Sequence, residues 1–175
     1  MKSKWWTLAL LVGAFSSKAS HAQAAIYGEF SETELANLQN KNYLPGGTVG
    51  YLFDATTRRH LVISADIRGR FVYVSEQKLD TVAIGPRLAF PVSHGFALYG
   101  EFLVGFARYY SNGSNGDPVG STTDATLQCN GGLSKKISPR WDATAEYSYS
   151  QFYAYGGEYN PKTLSMGAIF HFSKR

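Results

Sequence analysis

From Ala25 onward apolar and polar residues alternate one by one, a spacing that puts them on opposite faces of an extended strand and does not fit the 3.6-residue period of a helix. In the stretch 141–149, Trp141, Ala143, Ala145, Tyr147 and Tyr149 share one face and Asp142, Thr144, Glu146 and Ser148 the other. Near the end, Leu164, Met166, Ala168, Phe170 and Phe172 oppose Ser165, Gly167, Ile169 and His171, with Ile169 alone out of pattern. Repeating the count predicts eight strands, over 25–31, 48–55, 61–73, 81–90, 96–109, 124–134, 141–150 and 162–172. Most run to about 8 to 13 residues, longer than soluble strands need and suited to crossing a bilayer at a tilt.

Connection lengths alternate too. Thr56–His60, Pro91–Gly95 and Lys135–Arg140 are short, whereas Glu32–Gly47, Val74–Asp80, Tyr110–Thr123 and Gln151–Pro161 are mostly longer. Short turns at one rim and longer loops at the other are what an up-and-down membrane barrel requires, with both termini on the short-turn side. Ser93-His94-Gly95 and Ser138-Pro139 read as tight turns, and the run from Ser111 to Pro118, rich in Gly, Ser, Asn and Asp, as a mobile outer loop.

Composition narrows the class. Of 175 residues, 44% are hydrophobic, 15% aromatic and 17% charged, which fits neither a disordered chain nor a nucleic-acid binder. Lys2 and Lys4, the apolar run Trp5–Phe15 and Ala22-Gln23-Ala24 have the layout of an export signal, so residues 1–24 are expected to be cleaved. The domain then covers 25–172, followed by a short basic tail, 173–175. Removing Lys2, Lys4 and Lys18 lowers Lys+Arg from 17 to 14 against 13 Asp+Glu, a net charge of only +1. The single Cys129 cannot make an internal disulfide and is expected to act as a small hydrophobe on the lipid side.

If the apolar rows face lipid, the opposite rows fill a narrow lumen with Glu29, Asp54, Asp66, Arg68, Arg70, Arg87, Glu101, Asp142, Glu146 and His171, joined by Tyr27, Tyr99, Ser64, Thr126, Gln128 and Asn130. Six acids against three arginines must pair with one another, with His171 or with water. Arg87 with Glu101 is the best single pairing, though the turn at Pro91–Gly95 demands a register offset between them. Aromatic side chains should collect at the two membrane interfaces: Phe90, Phe96, Trp141 and Phe172 beside the short turns, and Tyr73, Tyr109, Tyr110, Phe152 and Tyr153 beside the long loops.

Together with Tyr27-Gly28-Glu29-Phe30, Gly85-Pro86-Arg87, Tyr99-Gly100-Glu101 and the terminal Gly167-Ala168-Ile169-Phe170-His171-Phe172, this layout resembles the small OmpA/OmpX-like outer-membrane β-barrel family of Gram-negative bacteria. The resemblance implies an eight-stranded antiparallel up-and-down transmembrane β-barrel in the outer membrane, surrounded by outer-membrane lipid. It also implies insertion by the barrel-assembly machinery, which reads an aromatic end of the last strand; here Phe172 is followed by Ser173-Lys174-Arg175. No appended peptidoglycan-binding domain is expected.

Chemistry is sparse. His171-Phe172-Ser173 has a spacing similar to that of barrel-type lipid A deacylases, but His171 falls on the lumen face at the periplasmic rim, away from outer-leaflet lipid. His60, His94 and His171 lie on separate segments without zinc-type spacing, and no helix follows Gly46-Gly47 or Gly156-Gly157 to make a phosphate loop. The expectation is therefore a monomeric, non-enzymatic barrel with no cofactor, metal or nucleic-acid partner. Its envelope-structural, adhesive or surface-interaction role would reside in loops that meet an extracellular partner. Two alternatives remain, a barrel-type lipid-modifying enzyme and a secreted soluble β-barrel with a small ligand inside.

Overall fold

The computed structural model describes residues 23–37, 40–58, 60–74, 77–113 and 119–172. All of its regular structure is β: β1 (Ala24–Asn37), β2 (Asn40–Arg58), β3 (Leu61–Val74), β4 (Gln77–Pro91), β5 (Phe96–Ser111), β6 (Gly120–Lys136), β7 (Trp141–Ala154), the short β8 (Gly157–Tyr159) and β9 (Lys162–His171). Each long strand pairs antiparallel with its sequence neighbours, and β9 closes the sheet by pairing with both β1 and β7. Closure removes the open edges that hydrocarbon would not tolerate.

The barrel is strongly sheared. From Tyr27 the partners run through Gly50, Arg68, Ala83, Gly105 and Thr126 to Phe152 on β7. The opposite way round, through Ile169, they reach β7 at Asp142, a stagger of ten residues. Such a stagger tilts the strands, by about 35–45° in barrels generally, and fixes the interior width at what side chains can fill.

Burial follows parity. Phe30, Tyr51, Ile67, Ile84, Val104, Leu127, Tyr147 and Met166, one from each long strand, are exposed on the outside, while Glu29, Asp66, Arg68, Gln128 and Glu146 are buried inside. An oily exterior around an ionic interior is the inverse of a soluble sheet protein, so the alternative of a secreted soluble barrel is overturned. Cys129 lies on the exposed outer wall.

Two of the interior glycines make room for a tyrosine side chain. A Cβ on Gly50 would collide with the phenol end of Tyr27, at Cζ and Oη, and one on Gly132 would meet Tyr99 Oη at 2.5 Å and the Ala145 carbonyl at 2.6 Å. The phenol end of each tyrosine thus packs against the following strand, where the glycine leaves it room.

The strands outrun the expected bounds on the long-loop side. Glu32–Gly47 is nearly all strand, with partners continuing to Asn37↔Asn40, and β3–β4 pairing continues to Val74↔Gln77. Alternation of oily and polar residues records contact with lipid, whereas hydrogen-bonded pairing continues beyond the membrane wherever two strands keep their register. The expected loop 151–161 likewise contains a hairpin turned by Tyr155 and Gly156, with φ of 49° and 78°. Ser93-His94-Gly95-Phe96 repeats that geometry at the opposite rim: φ is 52° at His94 and 79° at Gly95, and Phe96 N–H donates to the Ser93 carbonyl at 2.9 Å. Both are type I′ turns, whose twist matches the flanking strands. Residues 114–118 of the expected mobile loop, and residues 1–22 of the expected export signal, lie outside the described residues.

Candidate functional site

The lumen is layered. Its middle layer is centred on Arg68, which projects from β3 with its guanidinium fully buried. Arg68 Nε donates to Asp66 at 2.8 Å, Nη1 to Glu146 at 2.6 Å, and Nη2 to Asp66 at 2.5 Å and also to Glu101. One planar cation thus joins carboxylates from β3, β5 and β7, a use that suits the fixed fork of arginine better than the point charge of lysine.

The neighbouring groups complete the layer. Arg70 donates to Ser148 at 3.0 Å and Thr48 at 3.2 Å, and approaches Glu146 at 3.4 Å. Arg87 and Glu101 are direct cross-strand partners and bond at 3.2 Å, so no register offset separates them: Pro91 remains in the strand and pairs with Ala97, leaving the turn to Val92–Gly95. Asn130 donates to Glu101 at 2.9 Å and accepts from Ser148 at 2.6 Å. Glu29 is buried, with Oε2 lacking a bonded partner.

Tyr-Gly-Glu occurs on β1 and again on β5, four strands apart in the ring and therefore on opposite walls. Tyr27 donates to Asp66 at 2.9 Å, and Tyr99 shares a 2.9 Å bond with Thr144 and donates to Glu146 at 3.3 Å. Arg68 lies 5.5 Å from the Tyr27 ring centre and Arg87 3.6 Å from that of Tyr99, adding cation–π attraction to both. Each half-barrel thus supplies a tyrosine to one network, but only the second also supplies the glutamate of its Tyr-Gly-Glu unit to the ion pairs.

Below this layer, towards the rim carrying the chain ends, His171 Nε2 lies 2.9 Å from Asp142, and Ser64 donates to Asp54 at 2.7 Å. Ile169, the residue out of pattern, is buried with Ala25, Tyr27 and Leu52 in a small apolar cluster. All ten ionisable lumen candidates are buried; Arg68, Arg70, Arg87, Asp66, Glu101 and Glu146 share one network, whereas Glu29, Asp54 and the Asp142–His171 pair stand apart from its direct ion pairs.

Above the ionic layer lies a cluster that sequence reading missed: Leu35, Leu44, Val72, Leu79, Ala107, Tyr109, Phe152, Ala154 and Tyr159 pack inside the outer end of the barrel. Phe152 and Tyr159 stack at 5.4 Å with an interplanar angle of 13°, and Tyr109 meets them at 6.2 and 5.3 Å. Tyr109 and Phe152, expected at the lipid interface, are each 1% exposed and belong to this interior. Alternation continues unbroken along β5, so Tyr109 keeps the inward phase of Leu103 and Ala107 while Tyr110 faces out. The other interface candidates sit on the outer wall or rim: Phe90, Trp141 and Phe172 exposed, Phe96 half-buried with the Lys135 ammonium 4.9 Å from its ring. The signal for the cluster was available in the inward parity of its members, but the neighbouring loop-like sequence concealed it.

The profile described as an outer membrane protein beta-barrel domain matches residues 7–172. The chain belongs to this family. Its place is the bacterial outer membrane, with lipid against the apolar belt. Solved structures of similar fold include Ail, the attachment invasion locus protein of Yersinia pestis, at 17% identity and TM-score 0.61, covering 86% of this chain and 99% of Ail. Neisserial surface protein A superposes with TM-score 0.65 at 14% identity, over 85% of this chain and 97% of its own. The N-terminal β-barrel domain of Pseudomonas aeruginosa OprF gives 0.51 at 16% identity, over 85% and 99%. Among curated proteins, none matches by sequence. At these identities the superpositions speak to fold alone.

Proposed function

We propose that this barrel is a non-enzymatic surface protein that holds four outward hairpins rigidly above the membrane, for adhesion or another contact at the cell surface. The observation that carries this reading is the reach of the hairpins. Among the described side chains of β1 the last apolar outward one is Phe30, and Glu32 follows on the same face; the strand continues to Asn37, about 23 Å of chain beyond Phe30 at roughly 3.3 Å per residue. Outward Lys78, Arg108, Thr123 and Glu158 mark the same change to polar residues on other strands. The apolar cluster stiffens the hairpins from within, and loops on a rigid scaffold are where binding specificity usually resides.

A large pore does not fit this interior, because the ionic and apolar layers occupy the lumen one above the other. A lipid-modifying enzyme is disfavoured by position: the Asp142–His171 pair is buried at the rim opposite the hairpins. The chain would act as a monomer, with the barrel-assembly machinery as the partner for insertion of β9.

The test is display of the full chain on a non-adherent Gram-negative host, scoring attachment to epithelial cells and matrix proteins. Replacing residues 37–40 and 112–119 with Gly-Ser should abolish attachment while leaving heat-modifiable gel mobility intact. Unchanged attachment by that folded variant, or no attachment by the parent, would overturn the adhesive reading.

A further inference from the structure

The outer wall of β7 and the segment after it changes character in steps. Its rows of partners are Trp141 with Phe170, Ala143 with Ala168, Ala145 with Met166 and Tyr147 with Leu164, all apolar; then Tyr149 with Lys162; and finally Tyr153 with Glu158. From Trp141 to Tyr149 the strand covers about 27 Å, which a tilt of about 35–45° reduces to roughly 19–22 Å, slightly less than the ~25 Å height of an outer-membrane apolar belt. Tyr149 therefore stands at the outer edge of the belt, and the rows above it at the headgroups and beyond.

Exposed side chains there form one connected array. Tyr149 Oη donates to Asn160 Oδ1 at 2.9 Å, Asn160 Nδ2 to Glu158 Oε1 at 2.9 Å, Gln151 Nε2 to the same oxygen at 2.9 Å, and Tyr153 Oη to Glu158 Oε2 at 3.5 Å. Exposed pairs of this kind add little to stability. Their ordering instead preorganises acceptors and donors for something outside the chain. The rings of Tyr149 and Tyr153 are 40% and 52% exposed, and about 13 Å of strand separates them, the length of a short oligosaccharide.

We propose that this wall binds the sugar portion of a glycolipid in the surrounding outer leaflet. The Tyr149 and Tyr153 rings lie against sugar faces, Gln151, Glu158 and Asn160 take hydroxyl groups, and Lys162 meets the anionic groups nearest the acyl chains. The order along the wall, apolar, then cationic, then hydroxyl-binding, is the order of acyl chain, charged headgroup and saccharide in lipopolysaccharide. Because outward side chains of a barrel point along the membrane plane, the source is a neighbouring lipid rather than a glycan on another cell.

The test uses the full chain folded in phosphatidylcholine nanodiscs, titrated with fluorescent lipopolysaccharide carrying a complete core, with lipid A lacking core sugars, and with free core oligosaccharide. Lipopolysaccharide should bind at least tenfold more tightly than the other two. Tyr153→Ala with Glu158→Gln should bring it to the lipid A level, whereas Tyr73→Ala on β3 should leave it unchanged. If the double variant does not fold, as read by heat-modifiable mobility, Glu158→Gln alone should still weaken binding at least threefold. Equal binding of lipid A and lipopolysaccharide, or full binding by the folded variant, overturns the proposal. Free oligosaccharide binding as tightly as lipopolysaccharide overturns the assignment to a membrane lipid.

Discussion

Replacing Arg68 with methionine removes the cation shared by Asp66, Glu101 and Glu146 while keeping much of its volume. Arg87 still faces Glu101, Arg70 still approaches Glu146, and the Tyr27 hydroxyl still donates to Asp66. The net loss is therefore close to that of one buried ion pair broken from one side, about 3–5 kcal/mol. With a urea slope of about 1–3 kcal/mol per molar, the unfolding midpoint should fall by roughly 2 M. The assay is equilibrium urea titration of the barrel in lipid vesicles, followed by tryptophan fluorescence and by heat-modifiable mobility. Adding Glu101→Gln and Glu146→Gln to Arg68→Met should recover part of the loss, since carboxylates without a counter-charge cause most of it. Arg68→Lys should fall between parent and Met because one ammonium cannot bridge three walls. A midpoint within about 0.5 M of the parent for Arg68→Met would refute the idea that this network holds the lumen together.

Gly132→Val should hinder folding by about 1–3 kcal/mol or more, since the new side chain must displace Tyr99 and meet the Ala145 carbonyl; Tyr99→Ala in the same chain should relieve part of that cost in the same titration. Phe152→Ala should destabilise the barrel by about 3–5 kcal/mol, because it opens a cavity among Tyr109, Tyr159 and their neighbours, whereas Tyr153→Ala on the exposed face should have a small effect in the same assay. Cys129 in the folded, membrane-inserted protein should resist charged water-soluble maleimides and react once the barrel is boiled in detergent; rapid labelling in intact vesicles would contradict its place against lipid. Planar-bilayer recordings should show no stable large conductance, and a steady one would mean that the two lumen layers do not fill the tube.

Sequence by itself determined the class of the fold, because lipid imposes a strict rule: each crossing strand shows hydrocarbon one row and hides the other. Trp141 to Tyr149 obeys that rule residue by residue, so strand count, wall parity and the inward set from Glu29 to His171 were legible without coordinates. Tertiary structure decided what alternation cannot encode. Arg68 meets Glu146 from a strand 78 positions away in the chain, and the ten-residue stagger sets which inward groups share a level. Tyr109 and Phe152 carry the same signal whether a ring lies in lipid or in a plugged lumen, and only the path of the extended hairpins assigned them to the interior. The physical reason is that burial against lipid is a local property of each strand, whereas the contents of a closed tube depend on how all the strands are offset at once.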